Sequence, residues 1–385
     1  MDVNWFSADY LPWLIMLFPL LSFLVIVLGT NRSVIVSQAV ALAGIGIAWL
    51  LSMLLFVKTV WVTDKTLGQD VFGSQLDWLK LGTQTFRVGV LVDPLTAYML
   101  LMVPLVCLLI FIYSLGYMRG DRYNARFFAY LSLFSGAMLT LVVADNLLLL
   151  FVGWEVMGFC SYSLIGFWYA RNYPEHQEIS RIPPREAAKK AFMTTRIADV
   201  VMLLGIVFFW WAFGTLDFSE AFTVEKFEQV INLVGFGGLG IMTLLLFTGT
   251  VGKSAQWPLH VWLPDAMEGP TPVSAIIHAA AMVSAGIFML LRIFPLIAVS
   301  IEGTPYAGLV IAGIGAFTAL MAATIAVAQY DVKGVLAYST ISHLGLITML
   351  VGLGSTLGVV AAIFHIVNHA TFKASLFMAA GAVDH

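Results

Sequence analysis

Apolar runs long enough to cross a bilayer recur along the whole chain, and nothing else limits the fold as strongly. They lie near 11–29, 34–57, 94–118, 127–144, 146–168, 188–213, 233–252, 272–294, 305–328, 334–353 and 356–383. About eleven spans result, since roughly 20 apolar residues cross the hydrocarbon core. Lipid offers no partner to a backbone amide, so runs of this length must be helical. The expectation is an all-α, polytopic membrane protein. Composition supports it: 60% of the 385 residues are hydrophobic and 11% charged, where soluble domains carry about 25% charged residues. A nucleotide loop, a soluble domain and a basic patch for nucleic acid are all missing from the sequence. Cys107 and Cys160 sit in apolar runs without metal spacing. No cleavable signal is expected, since the start, MDVNWFSADY, has no basic stretch and the run after it is long enough to span.

Orientation follows from the basic residues, which favour the cytoplasmic side. Arg119, Arg122 and Arg126 share one loop. Arg171, Arg181, Arg185, Lys189 and Lys190 share another, two spans later, and Arg32 falls on the same side. The stretch 214–232, with Asp217, Glu220, Glu225 and Glu228 against Lys226, reads as an outside loop. The N-terminus, with Asp2 and Asp9, also falls outside. Alternation in FRVGVLV marks a small β-hairpin within 59–93.

Ionisable residues inside spans carry the functional signal, because membrane burial of charge is costly. Glu155 stands alone in LLLLFVGWEVMGFCSYSLIGFW. It pairs with a cation, holds a proton, or hydrogen-bonds between helices. Lys253 ends an apolar run just before a break punctuated by Pro258, Pro264, Pro270 and Pro272. It either snorkels to the interface or acts as a proton-loading group with Glu155 as its natural partner. Arg196 and Asp199 lie three apart on one helical face, as a salt bridge or a charge-tuning pair. His278, within the next apolar helix (ending at Arg292), is a core residue or a relay. His365, His369 and Lys373 recur at i, i+4 and i+8, one face of one helix. They form a proton chain, or a histidine pair for metal that lacks a third ligand. His260, Asp265, Asp121 and Asp145 read as loop or cap residues, and Lys333 and His343 stay ambiguous.

FVGWEVMGFCSYSLIGFWYAR, GKSAQWPLHVWLPDAMEGPTPVSAIIHAAAMVSAGIF and DVKGVLAYSTISHLG resemble the large antiporter-like subunit of respiratory complex I (subunit 5, L or the chloroplast-type F subunit). The resemblance runs from about residue 85 onward, over most of the chain. The family includes subunits A and D of multisubunit sodium/proton antiporters, and the ending FHIVNHATFKASLFMAAGAVDH looks more like those A subunits and like carbon-pump subunits. The resemblance implies inverted repeats with broken helices. Residues 1–118 would be N-terminal spans with an external loop, 119–294 a first repeat, and 295–385 the start of a second, incomplete at His385. A chain ending there is expected to lack its own exit half-channel; either the sequence is a piece of a longer protein or a separate polypeptide completes the path.

The resemblance also implies a proton path at mid-membrane. Glu155 would couple neighbouring subunits, with Asp199 near it. Lys253 would take up a proton, His278 would relay it, and His365, His369 and Lys373 would pass it onward. The implied function is proton translocation within a complex I type NADH:quinone oxidoreductase. The chain would be one subunit of a translocase, without a redox centre, cofactor or metal of its own. The alternative is a sodium/proton antiporter or a proton-driven inorganic-carbon uptake complex. Implied partners are other membrane subunits, protons and a soluble peripheral subunit, in a bacterial plasma membrane or an equivalent energy-coupling membrane.

Overall fold

The computed structural model describes residues 7–62, 72–82, 84–172 and 182–384. Asp2, Arg181 and His385 lie outside the described residues. Eleven helices among those described are long and apolar enough to cross a membrane, and the chain is a multi-pass integral membrane protein. It divides into two compact units, Met1–Cys160 and Ser161–His385.

In the first unit, α1 (Leu11–Val25) starts with proline in its first turn and leaves through a wider π turn, Ile26–Thr30. Proline suits that position, because the first helical N–H groups have no partner to lose. α2 (Val34–Val57) lies against α1 so closely that a Cβ at Gly44 would fall 2.0 Å from Ser22 Oγ. The expected hairpin is present: β1 (Phe72–Leu81) pairs antiparallel with β2 (Gln84–Val92), Ser74 opposite Val90. α3 (Pro94–Tyr117) is capped by Asp93, whose carboxylate accepts the Thr96 N–H at 2.8 Å. α4 (Asn124–Val143) packs against α1, α2 and α3. α5 (Leu147–Ile165) carries Glu155.

Asp145, between α4 and α5, is more than a turn residue. Its N–H donates to the Gly89 carbonyl at 3.2 Å, its carboxylate accepts from Asn146 Nδ2 at 2.6 Å, and it is buried against the hairpin. Burial pushes its carboxyl above the ordinary range, against the opposing hydrogen bonds from Gln75 and Asn146. The fold therefore favours the protonated form. That stability is fully present below the unfolded carboxyl value and is lost as pH rises through the raised folded value. Asp145→Asn keeps an acceptor for Asn146 and carries no charge. It is expected to raise the melting temperature at pH 7, with the gain shrinking toward pH 4; thermal scans across that range check this, and a gain that grew toward pH 4 would refute it.

In the second unit, α6 (Pro184–Phe213) ends at Gly214, whose φ of 70° is the left-handed cap that glycine allows. The acidic stretch expected as a loop is mostly helical. It forms α7 (Phe218–Ala221) and the first turns of α8 (Val224–Lys253), so Glu225 and Glu228 are helical. Thr223 caps α8 by accepting the Lys226 N–H at 3.4 Å. Gly235, at φ 69°, bends this helix where its charged start gives way to the apolar run. α9 (Thr271–Ala279) and α10 (Met282–Arg292) divide what the sequence suggested was one continuous span. The break falls at Ala280 and Ala281, where the Ala281 N–H reaches back to the Ile276 carbonyl at 3.0 Å. All residues from Thr271 to Arg292 are buried.

α11 (Phe294–Gly303), α12 (Tyr306–Val327), α13 (Val332–Gly352) and α14 (Thr356–Asp384) complete the unit. α12 and α13 meet along small residues: a Cβ at Gly315 would lie 2.4 Å from Met349 N, and one at Gly352 2.4 Å from Ala312 N. Such backbone approach replaces the hydrophobic drive that lipid cannot supply between spans. Lys333, one of the ambiguous residues, pairs with Asp384 at 2.8 Å, tying the start of α13 to the end of α14.

Candidate functional site: two buried groups of ionisable side chains

The first group forms where α8 crosses α6. A Cβ at Gly252 would stand 2.4 Å from that of Ala198, so the two backbones approach closely there. The next residue on each helix is ionisable. Lys253 Nζ lies 3.8 Å from Asp199 Oδ2, with both side chains buried. That distance attracts but exceeds hydrogen-bond length. Lys253 also occupies the last turn of α8, where the partial negative charge of the helix end favours a cation. Snorkelling does not describe it, since its side chain is 0% exposed.

The break after Lys253 folds back beneath α10. Ser254 Oγ donates to the Val283 carbonyl at 2.6 Å, Thr250 Oγ1 to the Gly286 carbonyl at 2.8 Å, and Trp262 Nε1 to the Gly252 carbonyl at 3.0 Å. Beyond it, Asp265 pairs with Lys190, so that aspartate is held by an ion pair as well as by its loop. Burial pushes the nearby His260 imidazole down, partly offset by the Pro258 backbone. Arg196 stacks its guanidinium 4.8 Å from the Phe192 ring. Glu155 belongs to α5 in the first unit, with Oε1 buried.

The second group lies where α14 packs against α9 and α13. His365, His369 and Lys373 share a face of α14 as expected, and α13 supplies partners. His343 Nδ1 and His365 Nε2 are 3.0 Å apart, so one imidazole donates to the other. The His343 ring is also 5.7 Å from that of His369. Lys373 Nζ donates to the Leu336 carbonyl at 3.0 Å and to the Ser339 hydroxyl. Its charge acts on His278, His343 and His369. His278 stands one residue before the end of α9, its ring 4.8 Å from that of Phe377. Both ring nitrogens of His278 and of His369 are buried without a hydrogen-bond partner. Buried polar atoms are rarely left this way. Groups of three or more metal-ligating side chains do not occur among the described residues.

Residues 144–385 match the sequence model described as "NADH:quinone oxidoreductase/Mrp antiporter, TM". The chain belongs to this antiporter family. Residues 78–128 of the same family member match the N-terminal model of complex I chain 5. It is 41% identical over 384 residues to NAD(P)H-quinone oxidoreductase chain 5 of Synechocystis sp., covering 97% of this chain and 53% of that one. It is 43% identical to the chloroplastic subunit 5 of Mesostigma viride, covering 98% and 56%. The antiporter-family chain thus spans about half the length of the curated relatives it matches. Among solved structures it resembles a chain of the Mrp complex from Dietzia sp. DQ12-45-1b, with TM-score 0.79, 28% identity, and 96% of this chain and 38% of that one covered. A membrane-bound sulfane sulfur reductase, an archaeal respiratory membrane complex, shares the fold with TM-score 0.78, 21% identity, and coverage of 96% and 56%. These relatives are parts of multisubunit membrane complexes.

Within this antiporter-family chain the sequence left His343 open and did not single out Ser339. A signal existed: the two lie one turn apart on α13, one face of that helix. Only the packing of α13 on α14 shows what that face meets.

Proposed function

We propose that this chain is a proton-translocating, antiporter-like subunit of a complex I type NADH:quinone oxidoreductase, in which redox energy drives protons along the buried groups. The observation that carries this is the second group: four histidines and a lysine from three helices, one histidine pair at 3.0 Å and two histidines with unsatisfied buried nitrogens. Imidazole accepts and donates at different nitrogens, so such a file can hand a proton along. Lys253 with Asp199 serves as the loading group, and Glu155 as the group through which a neighbouring subunit acts. The two repeats, 119–294 and the start of a second at 295–385, each contribute one buried lysine to this path, Lys253 and Lys373. Other membrane subunits and a soluble peripheral subunit complete the machine.

A second reading, a sodium/proton antiporter subunit, draws on the likeness to the Mrp complex chain. One assay separates the two. The assembled complex is placed in vesicles, and acidification is driven either by NAD(P)H with quinone or by a sodium gradient. Redox-driven acidification that falls in Glu155→Gln, while quinone reduction persists, is the expected result. Sodium-driven exchange with no response to NAD(P)H would overturn the first reading in favour of the second.

A further inference from the structure

The first unit holds a cavity that no part of the proton path uses. Its volume is about 460 Å³, within the range of ligand pockets. It opens where α1 ends and α4 begins, which puts it at one end of the spans and not at their middle. Its apolar wall comes from Phe23, Ile26, Val27, Ala129, Tyr130 and Phe159. Its polar rim is basic, with Arg122, Arg126 and the Asn31 amide.

The rim is built. Both guanidiniums gather on one aromatic ring: Arg126 lies 4.3 Å and Arg122 5.8 Å from the centre of Tyr123. The start of α4 beside it is fixed, since Asn124 donates to the Met118 carbonyl at 2.8 Å and accepts from Gln38 Nε2 at 3.1 Å. α4 starts here, and a helix start favours negative charge. Arg32 and Arg119 belong to the same side of the membrane, where positive charge meets the anionic leaflet.

We propose that this cavity binds one anionic phospholipid, its phosphodiester on Arg122 and Arg126 and its glycerol and upper acyl carbons against Phe23, Val27 and Phe159. The chemistry is specific. Planar guanidiniums suit phosphate oxygens in pairs, and the apolar wall suits the carbon skeleton that a lipid attaches to its phosphate. A free anion would leave that wall in water, and a zwitterionic lipid would place a choline or ethanolamine cation beside two arginines.

The test uses the intact complex containing this chain, stripped of lipid in mild detergent and followed by native mass spectrometry. Phosphatidylglycerol is titrated against phosphatidylcholine. The expected result is at least one phosphatidylglycerol adduct that phosphatidylcholine does not replace and that Arg122→Gln/Arg126→Gln loses by tenfold or more in affinity. Val27→Trp fills the cavity from its exposed rim, leaves both arginines in place, and should lose the same adduct. Its near-native melting temperature would separate lost binding from lost folding. Equal retention of both lipids, or an adduct that survives both variants, overturns the proposal. Displacement of the lipid by millimolar inorganic phosphate, with equal thermal protection by phosphate alone, would also overturn it, since the site would then recognise a free anion.

Discussion

Lys253→Met should lower redox-driven proton flux of the assembled complex by roughly tenfold or more, the lower end of what a positioned proton-transfer group contributes. The same substitution removes the cation 3.8 Å from the buried Asp199 carboxylate. Removing one member of a buried ion pair costs about 3–5 kcal/mol of stability, whereas replacing both by neutral groups is often neutral. The double variant Lys253→Met/Asp199→Asn should therefore recover much of the lost thermal stability and none of the lost flux. Vesicle acidification and thermal scans on the same preparations separate the two quantities. Recovery of flux along with stability would make Lys253 a structural residue and remove it from the path.

Lys373→Met should also collapse flux by roughly tenfold or more, on the same reasoning for a proton-transfer group. Its ammonium is held by the Leu336 carbonyl and the Ser339 hydroxyl, and its charge acts on three histidines. Methionine keeps the length of the side chain and removes the proton. Ser339→Ala removes one hydrogen-bond partner and keeps the charge. Its flux should fall about two- to twelvefold, in line with the roughly 0.5–1.5 kcal/mol net value of a single hydrogen bond. If Lys373→Met pumped normally while Ser339→Ala did not, the lysine would be a brace for α13 and the file would have to pass elsewhere. Quinone reduction measured in parallel shows whether either variant still assembles.

The spans were legible because hydropathy is a local property, readable without knowing what any helix touches. Pairing is not local. Glu155 looked like the partner of Lys253 because it was the lone carboxylate of its span. Asp199 also stands beside Lys253 because Gly252 and Ala198 let two backbones close, and neither small residue advertises this in sequence. His343 was ambiguous for the same reason, since its partner His365 lies on the following helix. The break at Ala280 and Ala281 had no signal at all. Alanine favours helix, and no proline or glycine marks the spot. What accompanies the break is tertiary: Ser254 and Thr250 donate to carbonyls of α10 just beyond it. Charge alone does not make the acidic stretch a loop. Helix formation tolerates glutamate well, so the segment carries on as helix outside the apolar run.

The interrupted segment α9–α10 buries every residue from Thr271 to Arg292, and so has no annular lipid of its own. Bilayer thickness, tension and acyl-chain order press on helices with exposed apolar faces, such as α12 with Leu309, Phe317 and Leu320. The turn beside His278 is mechanically insulated from them. Whatever resets that turn must arrive through protein, along α8, α13 or α14, and not from the fluid around the complex.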